Sequence, residues 1–130
     1  MKMLVVEDDF NSRKMLQNML HHYGECDVAV NGKEAVRAVK TAWNEKRPYK
    51  IVFLDIMLPE MDGQEVLKKL RELEEEKGVG GSDCMKIIMT TALDDKQNIM
   101  EAFRHQCEGY LVKPLTGEKL QQQLEELELI

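Results

Sequence analysis

Long apolar runs are missing from this chain: none of its 130 residues lies in a stretch approaching the ~18 apolar residues of a membrane span. A spanning protein is thereby excluded. Cysteine is sparse, with Cys26, Cys84 and Cys107 odd in number and scattered, no CxxC pair and no companion histidine. That excludes a disulfide framework and a zinc site, and fits reduced, mostly buried thiols in a cytoplasmic protein. His21, His22 and His105 have no metal-like spacing and are expected on helix surfaces. Basic charge is also short, 18 Lys and Arg against 24 Asp and Glu, for a net charge of −6. A nucleic-acid surface needs a basic footprint, so that class is excluded too. Internal repeats, low-complexity tracts and linkers are absent, and residues 1–130 are expected to form one domain.

What is present is an alternation of apolar strands and amphipathic helices. Met3 to Val6, Cys26 to Val30, Ile51 to Leu54, Lys86 to Ala92 and Gly109 to Pro114 read as strands. Between them, Met15, Leu16, Met19 and Leu20 have helical spacing, as do Ala35, Val36, Val39, Ala42 and Trp43. So do Val66, Leu67, Leu70 and Leu73, then Ile99, Ala102, Phe103 and Cys107, and finally Leu120, Leu124 and Leu127. Asn11 or Ser12, Asp94 or Asp95, and Thr116 are the expected helix caps. Glu74 to Glu76 is expected to be a solvated face, and Gly78 to Asp83 a loop. Short connections between strands and helices require parallel strands with right-handed crossovers. The expected fold is α/β: a flavodoxin-like, doubly wound, five-stranded parallel sheet of order 2-1-3-4-5 with five helices.

In such a sheet, working groups sit at the carboxyl ends of the strands. That end gathers Glu7, Asp8, Asp55, Thr91 and Lys113, with Asp9 expected as a solvated neighbour. Carboxylates on adjacent strand ends repel one another and make an oxygen-rich pocket for a hard divalent cation, Mg²⁺ first. Beside a cation, Asp55 can act as a nucleophile in phosphoryl transfer, with Lys113 and Thr91 meeting the charge of the phosphoryl oxygens. Of Thr90 and Thr91, strand alternation points only one at the pocket. A flavin or nucleotide binder would need a phosphate-cradling loop after the first strand, where Glu7-Asp8-Asp9 would repel phosphate. A metal-dependent phosphohydrolase with an aspartyl-phosphate intermediate is the other alternative. Such enzymes usually place a second acid two positions after the nucleophile, and here that residue is Met57.

Leu4-Val5-Val6-Glu7-Asp8, Asp55 followed by Met57-Leu58-Pro59-Glu60-Met61-Asp62-Gly63, Thr91-Ala92 and Gly109-Tyr110-Leu111-Val112-Lys113-Pro114 occur in this order, each on the fitting strand. Together they resemble the receiver domains of bacterial response regulators. The resemblance implies a signalling switch and not an enzyme in the ordinary sense. Asp55 would accept phosphate from a histidine kinase or phosphotransfer protein, with Mg²⁺ (or Mn²⁺) required. Asp8, Asp55 and the Met57 carbonyl would bind the metal, and Glu7 would act through a metal-bound water. Amides of Ile56, Met57 and Ala92 would cradle the phosphoryl group, and Thr91 would be chosen over Thr90. Thr91 and Tyr110 would then move, reshaping the surface of the fourth helix, fifth strand and fifth helix for a downstream protein. The resemblance also implies a cis Lys113-Pro114 bond and a monomer or phosphorylation-induced homodimer. Two departures stand out: the stretch from Asp55 to Thr91 is longer than in compact members, and the chain stops after the fifth helix, so that either a stand-alone receiver or one excised from a longer regulator is expected. Bulky Met57 and Leu93 would hinder the water that hydrolyses the phosphoryl group, giving slow decay.

Overall fold

The computed structural model describes residues 1–92 and 96–130. Its strands are β1 (Lys2–Val6), β2 (Glu25–Ala29), β3 (Ile51–Asp55), β4 (Lys86–Thr91) and β5 (Gly109–Val112). All pair in parallel in the order β2-β1-β3-β4-β5, as expected for the flavodoxin-like arrangement. The helices are α1 (Phe10–Leu20), α2 (Gly32–Asn44), α3 (Gly63–Lys77), α4 (Lys96–Arg104) and α5 (Gly117–Glu126), with short 3-10 turns at His21–Tyr23 and Gly81–Asp83. None of the described helices is long and apolar enough to cross a membrane.

Strand alternation divides the core in two. Leu4, Val6, Val52, Leu54, Ile87 and Met89 face α2, α3 and α4, where Val39, Leu67, Leu70 and Ala102 cover them. Met3, Val5, Ile51, Phe53 and Ile88 face the other way, against Leu16, Leu20, Leu120 and Leu124 of α1 and α5. β3 is buried along its whole length because it has strands on both edges and helices on both faces.

Several local expectations need correction. Helix α1 is capped not by Asn11 or Ser12 but by Asp9, whose carboxylate accepts the Ser12 amide at 2.8 Å. A carboxylate suits a helix N-terminus, where unpaired amides and the helix dipole favour negative charge. Thr116 does cap α5. The Asp94 or Asp95 cap and Leu93 lie outside the described residues. Gly78 ends α3 in the left-handed conformation, at φ 78°. The Glu74 to Glu76 run is not a uniformly solvated face, since Glu74 is only 2% exposed. Its Oε1 accepts from Arg71 Nη1 at 2.7 Å and its Oε2 from the Met85 amide at 2.7 Å. Arg71 also forks onto Glu108, so a glutamate one helical turn away and another 37 residues on share one partly buried cluster with it.

Candidate functional site

β1, β3, β4 and β5 end side by side, and their last residues build one acidic pocket. Glu7 follows β1 and its amide is held by the Ala29 carbonyl at 3.0 Å, so the carboxylate cannot swing away with the loop. Arg13, one turn into α1, donates to the carbonyls of Glu7 and Asp8 at 3.1 and 3.3 Å. Asp55 closes β3. One oxygen from each of Glu7, Asp8 and Asp55 lies within 4.8 Å of the others. Glu7 and Asp55 are buried while Asp8 is exposed, so the cluster opens to solvent on the Asp8 side.

Lys113, expected within the fifth strand, lies one residue past β5 because Pro114 has no N–H to continue the ladder, and it supplies the positive charge. Its Nζ donates to Glu7 Oε1 and, at 3.2 Å, to Asp55 Oδ2. Burial works against the ammonium charge, yet the hydrogen bond to Glu7 and the nearby Asp55 outweigh it and hold the Lys113 pKa above its usual value. Burial pushes Glu7 upward, with Lys113 opposing it and Asp55 reinforcing it. The pocket therefore has more negative than positive charge, the condition under which a hard cation is attracted.

The turn after β3 brings backbone close to this carboxylate. Met57 N–H donates to Asp55 Oδ1 at 3.2 Å, and the Gly63 amide returns to the Ile56 carbonyl at 2.7 Å. A Cβ on Gly63 would stand 2.3 Å from the Asp55 carbonyl oxygen, so only glycine lets α3 start this near the strand end. The Ile56 amide is engaged by the Thr90 carbonyl at 3.3 Å, unlike that of Met57. Ala92 follows directly on β4.

The two threonines take different faces. Thr90 is in register with Asp55 and lines, with Glu7, Lys113, Ser12 and Met15, a cavity of about 330 Å³ toward α1. Thr91, at the strand's end, falls on the opposite face, which Met89 and Tyr110 also occupy. The two residues expected to move together thus share one side of the sheet, under α4. The Lys113-Pro114 bond is cis. The larger cavity of about 670 Å³ around Arg71 lies at the opposite ends of β4 and β5 and has no part in this pocket.

Arg13 and the Arg71 cluster were not among the residues the sequence singled out, and Thr90, which lines the cavity with Glu7 and Lys113, was passed over for Thr91. Arg13 acts through main-chain carbonyls, which no side-chain pattern reveals. Arg71 has one partner at helical spacing, Glu74, but the others lie up to 37 residues away in the chain, where local spacing carries no signal.

Three clustered carboxylates and one lysine at the switch point of a doubly wound parallel sheet define an α/β domain with an acidic pocket suited to a hard cation. The comparisons with known proteins place it further: the family model for the response regulator receiver domain matches residues 3–125. The chain belongs to the response regulator receiver family. It is 34% identical over 130 residues to a chemotaxis protein CheY homolog of Campylobacter jejuni, covering 98% of this chain and 92% of that one. Among solved structures, it is similar to CheY in the CheX-CheY-BeF3-Mg²⁺ complex from Borrelia burgdorferi, with a TM-score of 0.83 and 26% identity over 98% of this chain and 88% of that one. The receiver domain of the histidine kinase CKI1 from Arabidopsis thaliana, complexed with Mg²⁺ and BeF3⁻, also gives a TM-score of 0.83, with 28% identity over 99% of this chain and 90% of that one. Receiver domains are phosphorylation-controlled signalling switches of two-component systems.

Proposed function

We propose that the 130 residues act as a single cytoplasmic receiver domain in which Asp55 takes a phosphoryl group from a histidine kinase or phosphotransfer protein. The observation that carries this is Lys113 Nζ bridging Glu7 and Asp55 beside a three-carboxylate cluster. That donor set, all oxygen and net negative, fits Mg²⁺, or Mn²⁺ in its place, and suits neither zinc nor copper. Asp8, Asp55 and the Met57 carbonyl would hold the ion, with Glu7 acting through a bound water. When bound, the cation would neutralise the carboxylates and offset charge on the phosphoryl oxygens.

The residues then divide the work. Asp55, ionised, attacks phosphorus. One Asp55 O–P bond forms as the bond from phosphorus to the donor nitrogen or oxygen breaks, and the leaving group keeps the electron pair. No general base is required, because the nucleophile has no proton to lose. Lys113 stays charged and meets a phosphoryl oxygen, while the amides of Met57 and Ala92, and of Ile56 if it leaves Thr90, complete the cradle. Thr91 moves toward the new group and Tyr110 follows on the same sheet face. The α4-β5-α5 surface is thereby shifted toward a form that binds a downstream protein, as a monomer or a phosphorylation-induced dimer. Hydrolytic turnover in the manner of a phosphohydrolase has no support at the position where the acid would stand: Met57 is apolar and 60% exposed.

The test is intact mass after incubation with acetyl phosphate, with and without Mg²⁺, on wild type and Asp55→Asn. One Mg²⁺-dependent phosphoryl adduct, absent from the variant, is expected. No adduct, or one that persists in Asp55→Asn, would overturn the assignment.

A further inference from the structure

Helix α3 carries two long polar side chains, Gln64 and Arg71, two turns apart on one face. Both donate to main-chain carbonyls of the α4 segment. Gln64 Nε2 reaches the Asn98 carbonyl in the first turn of α4 at 3.0 Å. Arg71 Nε and Nη2 reach the Gln106 carbonyl, just past the end of α4, at 3.0 and 2.7 Å. A helix lying over the switch face of the sheet is thus held from α3 at both ends.

The two ends are built differently. Arg71 is saturated, donating also to Glu74, to Glu108 and to the Met85 carbonyl. Gln64 is 6% exposed, and its Oε1 has no hydrogen-bond partner among the described residues. A buried amide with an unpaired oxygen costs stability, and a methionine of similar length would fill the space without that cost. Packing alone therefore does not account for Gln64. Its bond is also the separable one. A helical carbonyl has two lone pairs and can keep its own i+4 amide while accepting from Gln64. Breaking that bond leaves α4 helical but without this tie from Gln64 to its first turn.

We propose that Gln64 and Arg71 form a two-point clamp from α3 onto α4, with Arg71 the fixed end and Gln64 the end released when Asp55 is phosphorylated. The inference rests on the switch assignment above. The route from site to clamp is short: the Gly63 amide is bonded to the Ile56 carbonyl, directly after Asp55, and Gln64 is the next residue. A displacement of the strand end on phosphorylation is passed to Gln64 through one peptide unit. Gln64 touches no phosphoryl oxygen and is a positioning residue.

The experiment titrates beryllofluoride, a phosphoryl mimic, with Mg²⁺ into the full chain, wild type and Gln64→Met, by fluorine NMR. Amide hydrogen exchange over residues 96–104 and the urea midpoint are measured on the same proteins. A bond present only in the unphosphorylated form biases the equilibrium against activation, so its removal raises apparent beryllofluoride affinity about threefold to tenfold, the weight of one net hydrogen bond. Exchange in α4 of the free protein should quicken while the urea midpoint stays level or rises. Arg71→Lys, which keeps the charge but loses the planar fork, should lower that midpoint. A wild type that binds no beryllofluoride would overturn the switch assignment itself. A wild type that binds, with Gln64→Met of equal affinity, would overturn the clamp, whether or not α4 exchange changes.

Discussion

Lys113 and Met57 flank Asp55 with opposite consequences for a phosphoryl group. Lys113 was legible as a site residue because a Lys-Pro pair directly after an apolar strand puts a cation at the carboxyl edge. Its direct bond to Glu7 was not, since the two lie 106 residues apart and meet only through sheet order. Met57 stands 60% exposed beside the carboxylate, able to obstruct an approaching water and unable to hydrogen-bond it. Met57→Asn should therefore shorten the lifetime of the aspartyl phosphate several-fold, read as loss of the mass adduct after excess donor is removed. Equal decay in wild type and variant would remove the residue from any role in hydrolysis.

At the scale of elements, α3 shows how one sequence run can hide two environments. Glu74, Glu75 and Glu76 look alike in the chain, but only Glu74 faces inward, where it accepts from Arg71 and from the buried Met85 amide. Removing it leaves that amide and part of the arginine charge unpaired. Glu74→Ala should cost about 3 kcal/mol of unfolding free energy in urea titration. Glu75→Ala, on the exposed side, should stay within about 0.5 kcal/mol. Similar losses from both would mean that the inward cluster contributes little. The amphipathic stripe of α3 was evident from Val66, Leu67, Leu70 and Leu73. The inward glutamate was not, because the amide it accepts from, that of Met85, lies 11 residues on at the approach to β4. Capping was legible where a favoured residue stood alone, as at Thr116. It was misassigned at α1, where Asp9, Asn11 and Ser12 compete within four positions and the hydrogen bond to Ser12 N–H decides.

For the whole molecule, the acid pocket is a local cost carried by the fold. Glu7 and Asp55 are buried within reach of Asp8, and Lys113 offsets only part of that charge. A cation that binds the folded chain and not the unfolded one stabilises by mass action. At ten times its dissociation constant Mg²⁺ should add about 1.4 kcal/mol, seen as a higher thermal midpoint. Asp55→Asn should lose most of that increment and be more stable than wild type without Mg²⁺, because a repelling carboxylate has gone. A midpoint insensitive to Mg²⁺ in wild type would show that the three carboxylates do not act as a site.

The class of fold followed from sequence alone, because period-2 and period-3.6 apolar patterns alternating with short turns admit few topologies. So did the end of the sheet on which chemistry sits, since Glu7, Asp8, Asp55 and Lys113 each follow an apolar strand. The tertiary structure alone decided which groups touch. It set Lys113 against Glu7, put Thr90 on the face of the Glu7 and Lys113 side chains, drew Glu74 inward, and brought Gln64 and Arg71 onto α4. The reason is physical: patterning is written in local spacing, whereas hydrogen bonds and ion pairs between distant segments depend on strand order and register, which exist only once the chain has folded.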